Sequence, residues 1–235
     1  MKTIAALLFF LCPLTGFSQA IFDAIANKDY DQLLLLSKTP GNLSVTNKNK
    51  MTPLLAAANS ADFKSIKILV ESGADVNAVA KAKWNSLMII CQVGNIEMAN
   101  YLIEKNADVN AQDDHYWNPL IIASRNGKTD IVAALIKKGV DVNTKALDKS
   151  TALIIASFKG HTKIVKILLE NGAKTDAVNR DKETALFLAA KYGNEEIVKL
   201  LLKYHADTTF IGADGQTICQ AAKSNGHAEM CDLLQ

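Results

Sequence analysis

Three groups of residues in this chain are of types that do chemistry. The first is Asp113-Asp114-His115, a carboxylate–imidazole run of the sort that can hold a metal or move a proton. Three consecutive residues on one turn do not converge on a point, so the run reads as a solvated turn. The remaining histidines, His161, His205 and His227, stand far apart. There is no paired-cysteine zinc spacing, phosphate loop or nucleophile elbow, so no catalytic residue, metal or cofactor is expected. The second group is Cys12, Cys91, Cys219 and Cys231. The third is aromatic and basic: Trp84 and Trp117, with His115 and Tyr116 beside the latter, then Arg125, Phe158 and Tyr192. Trp, Tyr and Arg are the side chains that most often dominate protein–protein binding energy.

The elements that carry these residues follow from a strict internal period. The segment Thr52-Pro53-Leu54 has counterparts beginning at Asn85, Asn118, Thr151, Thr184 and Thr217, every interval being 33 residues. Gly94, Gly127, Gly160, Gly193 and Gly226 share one column, as suits the left-handed turn that ends a first helix. Leu69, Leu102, Leu135, Leu168, Leu201 and Leu234 share another, inside a second amphipathic helix. Gly73, Asn106, Gly139, Gly172 and His205 close that helix, and Asp75-Val76-Asn77 recurs at 108 and 141 on entry to an extended loop. The opening Thr or Asn is placed to cap the first helix.

These residues resemble the ankyrin repeat. Thr52-Pro53-Leu54, Asn118-Pro119-Leu120, the pairs Gly160-His161 and Gly226-His227, and Ile164-Val165-Lys166-Ile167-Leu168-Leu169 match that family's pattern from Gln19 to Gln235. The resemblance implies an all-α solenoid of stacked helix-turn-helix units with β-hairpin-like finger loops. Residues 19–45 form an N-terminal cap-like unit, repeats follow at about 48–80, 81–113, 114–146, 147–179 and 180–212, and 213–235 is a shortened C-terminal cap. Polar Gln32 and Ser65 at one end and Lys223 at the other, in otherwise apolar columns, suit uncovered terminal faces. The chain departs from the family at the finger turn, where Gly is usual. Here the column reads Lys50, Lys83, Tyr116, Lys149, Lys182 and Gly215, a sparse basic ladder read as solvated. The family's His after Leu is replaced by apolar residues.

The resemblance also implies a binding function, because ankyrin proteins dock partners on finger tips and on the exposed face of the first helices. Carried over by position, the partner-binding candidates are Trp84, Trp117, Tyr116, His115, Arg125, Phe158 and Tyr192. The expected footprint is repeats two to five, centred on Trp84, Trp117, Arg125 and Phe158. The expected partner is another protein and the chain a monomer. The nearest alternative is an immunity- or inhibitor-type or accessory protein serving one toxin or envelope enzyme; an enzyme is the remote one.

Composition agrees with this reading. A net charge of +2, from 26 Lys+Arg against 24 Asp+Glu, offers no case for nucleic acid. Met1-Lys2-Thr3, an apolar run to Leu14 and the small or polar stretch Thr15–Ala20 have the layout of a secretory signal peptide, cleaved after Ser18 or Ala20. The apolar run is shorter than the roughly 20 residues a bilayer span needs. An exported bacterial protein, periplasmic or secreted, is therefore expected. Removal of residues 1–18 takes Cys12 and leaves three cysteines, all in core-type columns. These are expected to be buried free thiols. Cys219 and Cys231 are expected toward opposite ends of an antiparallel helix pair, beyond disulfide reach.

Overall fold

The computed structural model describes residues 14–234. Met1–Pro13, which carry most of the expected signal peptide, lie outside the described residues. Both expected cleavage points fall within the first described helix, α1 (Leu14–Asn27), and Ile21, just after them, is fully buried.

The described residues form seven helix pairs. After α1 come α2 (Tyr30–Ser37), α3 (Pro53–Asn59), α4 (Phe63–Glu71), α5 (Ser86–Val93), α6 (Ile96–Glu104), α7 (Pro119–Arg125) and α8 (Thr129–Lys137). Then follow α9 (Ala152–Phe158), α10 (Thr162–Glu170), α11 (Ala185–Lys191), α12 (Glu195–Lys203), α13 (Ile218–Ser224) and α14 (Met230–Leu233). Odd-numbered helices pack on one another in one layer and even-numbered helices in a second. Among the described residues the fingers form no named strand; Ile211 and Thr217 make an isolated antiparallel bridge.

The two layers differ because their surroundings differ. An inner helix touches its own partner and the inner helices on both sides, so in α7 every residue from Pro119 to Ser124 is buried. An outer helix keeps a wet face, so α8 buries only Ile131, Val132 and Leu135. The expected leucine column is fully buried from Leu69 to Leu201, each side chain contributing about 1.5–3 kcal/mol of burial. The substituted His column is likewise apolar and buried from Leu55 to Phe187. At the N-terminal end Gln32 is exposed, but Ser65 is fully buried, its hydroxyl donating to Asp62 Oδ2 at 2.7 Å. It is satisfied within its own turn and does not face water.

The inner helices α3, α5, α7, α9, α11 and α13 are capped as their sequence suggests. Thr52, Asn85, Asn118, Thr151, Thr184 and Thr217 all accept from the backbone N–H three residues on. The turn into the outer helix does something less local. Asp62 and Asn95 cap their own helices, but Lys128, His161 and Asn194 reach back one repeat instead. Asn194 Nδ2 donates to the Ser157 carbonyl at 3.0 Å, and His161 Nε2 lies 3.2 Å from the Arg125 carbonyl. The His161 ring sits where a Cβ on Gly127 would be, and the His227 ring where a Cβ on Gly193 would be. Gly127 and Gly193 thus serve both a positive φ and a close approach.

The finger loops are locked side by side. Asn77, Asn110, Asn143 and Asp176 each accept from the backbone of the next repeat, at Asp108, Asp141, Lys174 and Asp207. At the tips Lys50, Lys83, Tyr116, Lys149 and Lys182 all adopt φ between 53° and 63°, and Gly215 is also positive at 78°. The missing glycines therefore leave five side-chain-bearing residues in the left-handed region.

The cysteine expectation requires correction. Cys91 is buried and free, and burial pushes its thiol well above the ordinary range. Cys219 and Cys231, however, form a disulfide with Cα atoms 4.8 Å apart. Being 12 residues apart, they flank Asn225 symmetrically, so the antiparallel pair brings them level rather than to opposite ends. They occupy the columns held elsewhere by Leu186 and Val198 or Leu153 and Val165, apolar pairs that are buried throughout. In the last unit a covalent bond stands where the others use packing.

Lys149→Gly and Lys182→Gly should each stabilise the fold by about 0.5–1 kcal/mol, the relief at positive φ exceeding glycine's greater unfolded-state freedom; urea unfolding checks this. Closing a loop of this length stabilises by about 3 kcal/mol. Reduction, or Cys219→Ala with Cys231→Ala, should lower the urea midpoint and deprotect the α13 amides to hydrogen exchange.

Candidate partner-binding groove

The seven residues singled out in the sequence separate into two sites and an exposed tip. Four of them, Trp117, Arg125, Phe158 and Tyr192, line one groove of roughly 470 Å³. The groove runs across α7, α9 and α11 on the side facing the fingers. Asp148, Asp181 and Glu183 from the fingers form its opposite wall, and Ile154, Ile155 and Leu188 contribute apolar surface.

The period builds this groove. Arg125, Phe158 and Lys191 occupy one column at the C-terminal ends of α7, α9 and α11, and Asn126, Lys159 and Tyr192 the next. Because successive inner helices pack in register, these columns become a continuous row. Phe158 and Tyr192, from neighbouring repeats, meet edge to face with ring centroids 5.0 Å apart. They remain 39% and 45% exposed, so a large share of each ring stays open to solvent. Arg125 lies over the Trp117 indole, 4.9 Å from the ring centre, and Lys159 over Phe158 at 4.9 Å. Such contacts hold long cationic side chains flat along the aromatic floor.

Charge is sorted across the groove, with carboxylates on the finger wall and Arg125, Lys159 and Lys191 on the helix wall. Glu183 bridges the two. Its carboxylate accepts from Lys191 Nζ and Asn179 Nδ2, both at 3.1 Å. Partial burial opposes the charge on Lys191, but Glu183, with Tyr192 and Asp214 beside it, holds the ammonium above the usual lysine value. Asp148 accepts from the Ser150 N–H at 2.9 Å and its hydroxyl at 3.0 Å.

Trp84 stands outside this groove. Its indole N–H donates to Asp113 Oδ2 at 3.1 Å, one finger along. The other oxygen of Asp113 accepts from the His115 and Trp117 N–H groups, both at 2.8 Å. Asp113 is thus a buried bracket that shapes its own finger and ties down the preceding one. His115 is exposed at the tip, its carbonyl accepting from Leu147 N–H, and Tyr116 projects from the turn, 51% exposed. The two tryptophans share a column but not a role, because Trp84 is drawn into a hydrogen bond by the neighbouring finger. The finger wall of Asp148, Asp181 and Glu183 was missed in the sequence. Its signal was a column, Asp148, Asp181 and Asp214, recurring at 33-residue spacing beside the lysine ladder.

Asp113→Ala leaves three N–H donors without their acceptor, two of them main-chain. It should cost about 2–3 kcal/mol, read by urea unfolding, and should red-shift the Trp84 fluorescence by exposing its indole.

Among the described residues no helix is long and apolar enough to cross a membrane, and no group of His, Cys, Asp and Glu is placed to hold a metal ion. No curated protein matches the chain. The family described as ankyrin repeats (3 copies) matches over residues 21–113, 111–179 and 172–235. Ankyrin repeats generally act as protein–protein interaction scaffolds and are typically non-catalytic. Stacked inner and outer helices in a 33-residue register and a family match from residue 21 to residue 235 lead to one assignment: the chain belongs to the ankyrin repeat family.

Proposed function

We propose that this chain is an exported scaffold, without catalytic activity of its own, that binds another protein in the groove of Trp117, Arg125, Phe158 and Tyr192. The observation that carries the reading is the half-exposed Phe158–Tyr192 pair, set between walls of opposite charge on rigid helix ends. Exposed aromatic area framed by polar groups is what a partner's desolvated contact requires. A preformed solenoid loses little ordering entropy on docking. Relative to the footprint expected from sequence, this groove leaves out Trp84 and includes Tyr192. The Cys219–Cys231 bond supports export, since structural disulfides persist in oxidising compartments.

The test is capture of the native partner from envelope and secreted fractions, its identification by mass spectrometry and titration against variants. Phe158→Ala with Tyr192→Ala should weaken binding by at least about 2 kcal/mol while leaving the helical signal intact. Trp84→Ala should leave affinity within about twofold, since its indole serves the fingers. Equal affinity of the Phe158/Tyr192 double variant and the parent would refute the assignment of this groove.

A further inference from the structure

A second cleft, of roughly 620 Å³, shares no residue with the aromatic groove. It lies between the finger of residues 141–151 and the entry to the next, and Lys145, Lys149, Lys174, Thr175 and Asp176 line it. Side chains alternate along an extended hairpin, so Asp148 and Ser150 serve the groove while Lys149 and Thr151 serve the cleft. The three lysines are exposed, and among the described residues none of them pairs with a carboxylate.

Two of these lysines break the 33-residue register. The column of Asp75, Asp108, Asp141 and Asp207 holds Lys174 in this repeat alone, and the column of Thr46, Val79, Gln112, Val178 and Ile211 holds a cation only at Lys145. In the other four turns the aspartate accepts from the N–H two residues on, at Asn77, Asn110, Asn143 and Thr209. Lys174 has no carboxylate, so the Asp176 N–H is left without that acceptor and the charge beside it is reversed. One unit earlier the three positions read Gln112, Tyr116 and Asp141; one unit later they read Val178, Lys182 and Asp207. Three cations therefore meet only at this interface. The nearby carboxylates are engaged or face elsewhere. Asp176 Oδ1 accepts from the Asp207 N–H of the next finger at 3.0 Å, and Asp141 accepts from the Asn143 N–H at 2.9 Å. Asp148, Asp181 and Glu183 line the groove. Arg180 and Lys182, at the adjoining tip, add positive charge.

We propose that this cleft binds a phosphate group. One phosphate oxygen takes the place on the Asp176 N–H that an aspartate oxygen fills in the other turns, and Lys145, Lys149 and Lys174 balance its charge. A phosphate ester carries about −1.5 to −2 charge and three acceptor oxygens, enough to serve a main-chain donor and several ammonium groups together. A lone carboxylate has neither the charge nor the oxygens to do so. Lysine suits this role as a compact point charge with three rotatable donors. The site is independent of the aromatic groove and stands or falls separately from it.

The test is a heteronuclear NMR titration of the nitrogen-labelled full chain with inorganic phosphate and with pyrophosphate, sodium chloride holding the ionic strength constant. The Asp176 amide should shift saturably, and the amides of Asn77, Asn110, Asn143 and Thr209 should stay in place. Lys174→Asp gives the turn the residue its column holds elsewhere, so it should fold, and it should weaken pyrophosphate at least about tenfold. Lys145→Gln should cost about threefold. Lys137→Asp, the same charge change on the exposed face of α8, should leave affinity within about twofold. A second arm separates the sources of the phosphate: cosedimentation with phosphatidylcholine vesicles with and without phosphatidic acid. Retention by the phosphatidic acid vesicles alone, lost in Lys174→Asp, would place the phosphate on a lipid headgroup; binding of the soluble probes alone would place it on a soluble ester. Neither a saturable Asp176 shift nor such retention, equal shifts in every one of those turns, or a Lys174→Asp variant that binds like the parent would each overturn the proposal.

Discussion

A helix pair of this length cannot bury its own inner helix. That helix has two flanks, and only another pair in the same register covers each of them. The arrangement therefore depends on adjacent units superposing residue for residue, which an uninterrupted 33-residue spacing guarantees. The side chains between units show what that register is used for. Asn77, Asn110, Asn143 and Asp176 each find the same backbone N–H one repeat along. His161 and His227 lie on glycines of the preceding unit. An insertion of one residue between two such partners would break the contacts at that interface and leave the other interfaces in register. Stability is thus a chain of nearest-neighbour terms, and the ends, having one neighbour each, need separate treatment.

The two ends are treated differently. At the N terminus α1 and α2 cover the first complete repeat with Ile21, Ala24 and Leu33 buried. At the C terminus the outer helix is reduced to α14, four residues long, too short to hold its place by packing over several turns. The Cys219–Cys231 bond supplies the missing constraint at the position where the three preceding repeats pair Leu with Val. The same logic explains the fingers: Lys83, Tyr116, Lys149 and Lys182, left-handed without being glycine, stand beside lateral backbone bonds that join neighbouring tips at Ala82–Asp114, His115–Leu147 and Asp148–Arg180.

Function follows from the same register. A residue type that recurs in one column becomes a row on the surface, and rows of unlike character on facing elements become a groove with two distinct walls. Phe158 and Tyr192 lie in adjacent columns of adjacent repeats, and stacking alone makes them an aromatic pair. Asp148 and Asp181 of two successive fingers, with Glu183, line the groove opposite them. Rigidity of the scaffold fixes the spacing of both rows without any contribution from a ligand.

Much of this was legible in the sequence. The period, the helix caps, the positive-φ columns and the buried leucine row depend on local backbone geometry and on recurrence, and both can be read along one dimension. What the tertiary structure alone decided concerns pairs of side chains. Trp84 and Trp117 occupy one column, yet Asp113 captures the first through its indole N–H and leaves the second to the groove. Cys219 and Cys231 sit in columns that read as apolar packing, yet their symmetry about Asn225 brings them within bonding distance. Glu183 and Lys191 pair across the groove from different elements. Column membership determines which layer and which face a residue occupies; which neighbour it touches depends on distances of a few ångströms between elements, set only when the units stack.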